Sequence, residues 1–182
     1  MTGTALFRRV LVSEFERLAP RVREVHGGTS RQLRGLATVT RGNALLGRLI
    51  GRIASLPDAQ HEGVARIELI VDGRGETWIR HFGASRPMRS RLCARDGLLV
   101  EQLGPAQLRF RLREHDGAVV WDLQSVSLLG LPAPRSWFAA TTARSYEQAG
   151  RYCFEVDVRL PFIGHLIGYR GSISSMSSVR IA

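Results

Sequence analysis

The sequence predicts an α+β fold in which N-terminal helices pack on a long, strongly curved antiparallel β-meander that forms a barrel or half-barrel. Apolar residues recur at helical spacing only before Pro57, and beyond it they alternate with polar residues in the two-residue repeat of β-strands. The segments between these strands are too short for the crossovers that parallel pairing requires. A sheet of about ten strands in one small domain curves strongly, so we expect it to grip the helices.

Short helices are predicted at the start of the chain. Between Ala5 and Leu18, apolar residues occupy one side of a helix and charged residues the other. Proline is tolerated at a first helical position, so a second helical turn is predicted from Pro20 to about Val25, and the Gly27-Gly28 pair ends it.

A third helix is predicted for Ala44–Ser55, with Asn43 as its N-cap. Its broad apolar face indicates packing on the sheet. Gly47 and Gly51 lie one helical turn apart and favour close approach of another backbone. The neighbouring arginines and the short length of the segment exclude a transmembrane dimer motif.

The remaining segments are predicted to be strands, separated by turns in which Asp-Gly, Gly-Pro or a single Gly supplies the backbone conformation that hairpins require. The predicted strands are Leu33–Thr40, Ala65–Val71, Glu76–Phe82, Met88–Ala94, Leu98–Leu103, Gln107–Glu114, Ala118–Leu128, Phe138–Tyr146, Tyr152–Leu160 and Leu166–Ile173. Each has one apolar and one polar face. The stretch Leu131–Pro134 is expected to be the only long irregular connection.

Composition and charge bound the function. The chain of 182 residues is predicted to form a single domain, residues 1–182. Its net charge is +10 and its pI about 11.3, but all 26 basic residues are arginines, dispersed along the chain and without interleaved aromatics. The row Arg109, Arg111 and Arg113 fits a solvated outer strand face as well as a phosphate track. We therefore expect no nucleic-acid partner.

Cofactor, membrane and export signals are also missing from the sequence. Cys93 and Cys153 lie far apart and lack a Cys/His spacing that holds zinc, so neither a metal site nor a cofactor is predicted. No segment approaches the ~20 apolar residues of a membrane span, and charged residues interrupt the N-terminal segment where a signal peptide is apolar. A cytoplasmic protein without a membrane partner is the expectation.

One strand carries the most distinctive constellation. Two-residue alternation places Trp78, Arg80 and Phe82 on one face, together with Glu76. An arginine between two aromatic residues can recognise an anion inside a barrel. The alternative is a structural arginine paired with Glu76 or Glu101, which is the simpler interpretation because buried charges are usually paired.

The last strand adds Tyr169, which alternates with His165, Ile167 and Gly171 on one face. Its hydroxyl can serve a ligand, although a half-buried tyrosine is also an ordinary β-sheet residue. The candidate ligand-binding residues are therefore Trp78, Arg80, Phe82, Glu101 and Tyr169.

Catalytic signatures are absent from the sequence, including GxSxG, GxGxxG, HExxH and phosphate-binding loops. His81 is expected on the face opposite Arg80, and Ser90 has no histidine at a readable spacing. The sequence therefore names no reaction and leaves open whether the protein is an enzyme.

Several short motifs, taken in order, resemble a known family, the domain of unknown function numbered 4166. The matching segments are Leu18-Ala-Pro20 to His26-Gly27, Glu76-x-Trp78-x-Arg80-x-Phe82-Gly83, Ser90, Glu101-x-x-Gly104-Pro105, Leu129-Gly130-x-Pro132, Phe154-x-Val156-Asp157-Val158 and Pro161-x-x-Gly164 to Tyr169-x-Gly171. The family has no established activity. Its members occur alone or joined to a saccharopine-dehydrogenase-like oxidoreductase, so the resemblance implies an accessory role beside a reductase. Ser172 stands where the family often has an aromatic residue.

Three functions remain open at this stage. The first is a binding module whose apolar interior holds a small, apolar or partly anionic ligand, anchored by Arg80. The second is an enzyme acting on a ligand inside the barrel, with Glu101 or Asp157 as the first bases to test. The third is an interaction domain that docks on an oxidoreductase partner, for which a packed interior without a cavity is expected.

Overall fold

Antiparallel β-structure dominates the part of the chain that the computed structural model describes, residues 5–42, 60–161 and 164–178. The strands are β1 Arg31–Arg41, β2 His61–Asp72, β3 Gly75–Phe82, β4 Met88–Arg95, β5 Leu98–Leu103, β6 Ala106–His115, β7 Ala118–Leu128, β8 Leu131–Ala133, β9 Thr142–Gln148, β10 Arg151–Leu160 and β11 Gly164–Ser178. Strands β1 to β7 pair in sequence order, β9 to β11 do the same, and every pairing is antiparallel. The predicted meander is confirmed.

Two long-range pairings close the sheet into a ten-stranded barrel. Strand β1 pairs with β11 along its whole length, and β7 pairs with β9 through Val119–Ser145 and Val120–Arg144. Strand β8 pairs only with β7 and lies outside the closed ring. Of the two shapes that the sequence predicted, the structure has the closed barrel.

Short helices cap one end of the barrel. Helix α1 is Leu6–Leu11, a 3₁₀ helix follows over Val12–Arg17, and helix α2 is Pro20–Val25. The predicted single helix from Ala5 to Leu18 is interrupted because Val12 adopts a left-handed backbone conformation with φ 52°. The predicted helical turn at Pro20 is confirmed.

The helical cap is attached to the barrel by hydrogen bonds and by its apolar face. The backbone N–H of Ala19 donates to the carbonyl oxygen of Gly117 in the β6–β7 turn, at 2.9 Å. The N–H of Arg21 donates to the carboxylate of Glu147 at the end of β9, at 2.8 Å. Phe7, on the apolar face of α1, is fully buried. Among the described residues, these helices cover only this end of the barrel.

The region after β7 differs from the prediction. Leu129 and Gly130 have positive φ angles and form a tight turn, so Leu131–Ala133 folds back as the short edge strand β8 instead of an irregular connection. A 3₁₀ helix then spans Arg135–Phe138. For this reason the strand predicted for Phe138–Tyr146 begins only at Thr142.

A β-bulge changes the facing of one predicted residue on β11. Val158 pairs with Ile167, whereas Arg159 pairs with His165, so Leu166 is the extra residue. Directly paired residues point to the same side of a sheet. His165 therefore lies outside with Arg159, and the prediction that it shares a face with Ile167 was wrong.

Other predicted features have different outcomes. Phe110 and Leu112 are buried while Arg111 and Arg113 are exposed, as alternation predicted. The helix predicted for residues 44–55, with its cap and its two glycines, lies outside the described residues.

Candidate functional site

The barrel encloses a cavity of about 600 Å³. At the capped end it is closed by Val25 from α2 and by the rings of Trp78 and Trp121. Its walls are almost entirely aliphatic and aromatic, and include Ile67, Leu69, Met88, Leu108, Val156 and Val158. Every second residue of a barrel strand faces the interior, so the apolar faces of the strands form this lining.

The mouth of the cavity lies at the opposite end and has an apolar rim. Leu129, Leu131 and Trp137 line the cavity and are also exposed at the surface. Leu131 belongs to the edge strand β8, and Trp137 belongs to the 3₁₀ helix that follows it. These two elements connect β7 to β9, and those two strands share only two residue pairs.

The polar part of the cavity wall centres on Arg80. One guanidinium nitrogen, Nη1, donates to Ser90 Oγ at 3.0 Å, and Nη2 lies 3.4 Å from Glu101 Oε1. The side chains of Arg80 and Glu101 are only 6% and 12% exposed. The guanidinium carbon Cζ also lies 4.9 Å from the ring centroid of Trp78, within the range of a cation–π contact. A buried, hydrogen-bonded ion pair is therefore built into the wall.

Tyr169, on β11, lines the same cavity as this ion pair. Burial raises the pKa of its phenol, while the nearby Arg80 charge lowers it and the Glu101 charge raises it. Its ring packs between Phe82 and Phe154, with centroids 5.9 Å and 6.2 Å away. In the described part of the chain, the Tyr169 hydroxyl has no hydrogen-bond partner.

The structure thus brings together most of the residues that the sequence selected. Trp78, Arg80, Glu101 and Tyr169 line the cavity. Phe82 is only 1% exposed and packs behind Tyr169, outside the lining. Arg80 pairs with Glu101, one of the two partners that the structural interpretation named.

A second polar group in the lining was not found from the sequence. Tyr152 donates from its hydroxyl to Ser145 Oγ at 3.0 Å, and His26 Nε2 lies 3.3 Å from the same hydroxyl. Tyr152 and Ser145 line the cavity, whereas His26 is fully buried behind them. Residue 26 is separated from residue 152 by most of the chain, so no local pattern in the sequence links them.

Two buried titratable groups lie beside Trp78. Its indole Nε1 donates to Glu76 Oε2 at 2.8 Å, and its ring stacks on His26 with centroids 5.7 Å apart. Burial raises the pKa of Glu76 to about 7 and lowers that of His26 to about 3. Both values reflect the cost of a charge in an apolar interior, which favours the neutral form of each group.

Other candidates lie on the outside of the barrel. His81 faces Glu68 at 3.2 Å on the outer surface, as expected. Asp157 lies 2.9 Å from Arg159 and 3.4 Å from His165, away from the cavity. The position of Asp157 therefore does not support the hypothesis that it acts as a base inside the barrel. Ser90, in contrast, is buried and accepts a hydrogen bond from Arg80.

A wider surface depression of about 1030 Å³ lies between β7, the second 3₁₀ helix and β9. Four of its five charged side chains form ion pairs: Arg113 lies 2.5 Å from Asp122, and Arg144 lies 2.9 Å from Glu155. The cavity inside the barrel has the more apolar lining, so we place the candidate site there.

In the described ranges, no group of three or more histidine, cysteine or acidic side chains is arranged to hold a metal ion. Cys93 and Cys153 are free thiols. No helix within those ranges is long and apolar enough to cross a membrane.

Fold and site together define a closed antiparallel β-barrel with a helical cap, an apolar cavity and a buried ion pair in the cavity wall. The chain belongs to the family described as domain of unknown function DUF4166, whose profile matches residues 18–173. This range contains α2, the whole ring of strands up to β11 residue Ile173, and every predicted site residue. No curated protein and no solved structure matches the chain.

Proposed function

We propose that this domain binds an apolar small molecule inside its barrel, with Arg80, Glu101 and Tyr169 at the polar end of the site. The observation that carries the proposal is the cavity itself, about 600 Å³ of apolar space with few polar groups. Small-molecule sites in proteins have this combination of volume, apolar lining and a small number of convergent polar groups.

The energetic cost of the cavity supports a binding role. Cavities left in protein cores cost roughly 24 cal/mol per Å³, so 600 Å³ of enclosed void corresponds to an upper bound of about 14 kcal/mol. The open mouth reduces this figure. Even a fraction of it is large beside the ~5–15 kcal/mol by which domains are stable. A domain with a purely structural role is expected to fill such a space with side chains.

The alternative functions have less support. Asp157 lies outside the barrel, so of the two bases first considered only Glu101 lines the cavity, where it is paired with Arg80. An interaction domain predicts a packed interior, in contrast to the cavity observed here. Association with an oxidoreductase stays a prediction and is compatible with a binding role.

A cavity-filling substitution tests the proposal. Val158 lines the cavity, whereas Val64 is 67% exposed on the outer face of β2, so Val158→Trp and Val64→Trp form a matched pair. We expect the wild type and Val64→Trp to bind the neutral dye Nile red and to release the same co-purified small molecules in mass spectrometry. Val158→Trp should lose both while keeping its β-sheet circular dichroism.

A second filling substitution, Leu108→Trp on β6, protects the test against a variant that does not fold. Equal dye binding by the folded Val158→Trp or Leu108→Trp variant and by the wild type would place the dye outside the barrel and refute the proposal.

A further inference from the structure

We propose that the cavity selects an apolar molecule that carries an uncharged hydroxyl head group, and discriminates against the matching carboxylate. This inference rests on the proposed function and specifies the chemical class of its ligand. It departs from the partly anionic ligand that the arginine alone suggested in the sequence.

The positive charges in the cavity lining are balanced by acidic residues. The cavity is lined by three charged residues in the described part of the chain, Arg80, Glu101 and Arg144. Arg80 is neutralised by Glu101 at 3.4 Å. The guanidinium of Arg144 is bound to Glu155 and stacks on Tyr146 at the outer surface. Each positive charge in this lining therefore has an acidic partner, so neither arginine is free to attract a ligand anion.

A charged ligand head group would be unfavourable in this cavity. A ligand carboxylate beside Arg80 would be a second anion next to a cation that Glu101 already neutralises, in a cavity with an almost entirely apolar lining. Glu76 lies on the same face of β3 as Arg80, and its charge, when it is ionised, also repels a ligand anion. An uncharged head group avoids both costs.

Glu101, Tyr169 and Thr141 each bring to the lining a hydrogen-bonding group that has no partner among the described residues, and the first two complement each other. Over the described residues, Glu101 uses Oε1 toward Arg80, its Oε2 has no hydrogen bond, and the Tyr169 hydroxyl is likewise without a partner. Both residues line the cavity, so both groups are accessible to a molecule inside it. One carboxylate acceptor and one phenol donor complement a hydroxyl group, which donates one hydrogen bond and accepts another.

A series of probes with the same chain tests the selectivity. Displacement of Nile red by dodecanol, dodecyl methyl ether and dodecanoate is measured at pH 8.5, where dodecanoate is ionised. We expect dodecanol to bind about tenfold more tightly than the ether, which cannot donate a hydrogen bond. Dodecanoate should bind at least tenfold more weakly than dodecanol.

Two variants test the assigned groups. Tyr169→Phe should weaken dodecanol binding about tenfold and leave Nile red binding unchanged, whereas Tyr146→Phe, on the outer face, should change neither. Glu101→Gln leaves Arg80 with an uncompensated charge, so it should reverse the preference and make dodecanoate the tighter ligand.

Failure of this inference is distinguishable from failure of the proposed function. Wild-type protein that binds Nile red in the barrel but prefers dodecanoate to dodecanol overturns the hydroxyl assignment and leaves the binding role intact. An unchanged dodecanol affinity in folded Tyr169→Phe does the same for the role of that residue. If neither Nile red nor any of the three probes binds, both proposals are wrong.

Discussion

The substitution Glu76→Gln should remove a loss of stability that this barrel undergoes as pH rises from 4.5 to about 7. Glu76 is 2% exposed, and its Oε2 accepts a hydrogen bond from Trp78 Nε1 at 2.8 Å, while Oε1 has no hydrogen-bond partner among the described residues. Burial raises its pKa from the ordinary 4.5 to about 7, against the smaller lowering by the Trp78 hydrogen bond and the Arg91 charge. The folded protein therefore keeps a proton on Glu76 that the unfolded chain releases.

The sign and size of the effect follow from proton linkage. Between pH 4.5 and pH 7 the folded state binds more protons than the unfolded state, so the free energy of unfolding falls as pH rises through this window. Each pKa unit corresponds to about 1.4 kcal/mol, so a rise from 4.5 to about 7 corresponds to a loss of roughly 3 kcal/mol. Glutamine does not titrate and retains an oxygen that accepts from Trp78.

The measurement is urea unfolding of the wild type and of Glu76→Gln at intervals from pH 4 to pH 8. The stability of the variant minus that of the wild type should increase by about 3 kcal/mol across this range, because terms independent of pH cancel in the change. Exposed Glu62 on β2 provides a control, since Glu62→Gln should show a much smaller change. A difference for Glu76→Gln that is constant with pH would refute the reasoning.

His26 changes the stability with pH in the direction opposite to Glu76, so only the difference in stability between Glu76→Gln and the wild type reports on Glu76. Burial lowers its pKa to about 3, so the folded state keeps it neutral while the unfolded chain takes up a proton below its ordinary pKa of 6.5. Its contribution to stability is therefore lost as pH falls from 6.5 toward 3. The wild-type profile combines both groups, whereas subtraction of the Glu76→Gln profile isolates the carboxyl.

Two further predictions concern the ion pair and a close backbone contact. Arg80→Met should cost roughly 3–5 kcal/mol because it strands the buried Glu101 carboxylate, and the double variant with Glu101→Met should recover most of that loss in urea unfolding; additive losses would show that the pair is not coupled. In Gly35→Ala the new methyl group would overlap the backbone carbonyl oxygen of Ser172 on β11, so unfolding measurements should show a loss of roughly 1–3 kcal/mol, whereas Gly73→Ala, with open space around it, should be nearly neutral. Equal effects of the two glycine substitutions would contradict the contact.

Local patterns in the sequence determined most of the strands and the facing of their side chains. Side-chain direction alternates along a strand whatever its partners are, so Trp78 and Arg80 could be placed on one face without knowledge of the fold. Turn positions were equally local, because the hairpin turn at Asp96-Gly97 needs positive φ at both residues and few residue types tolerate it. The presence of a strongly curved antiparallel sheet and the candidate Arg80 followed from these patterns.

Tertiary structure alone decided the closure of the barrel and the composition of the site. The pairing of β1 with β11 joins residues more than a hundred positions apart, and one bulge at Leu166 turned His165 outward although its position in the sequence suggested the opposite. Whether the apolar faces meet or leave a cavity depends on how many strands close the ring, which no single segment encodes. Tyr169 lines the same cavity as Arg80 and Glu101 because that closure brings side chains of distant strands around one interior.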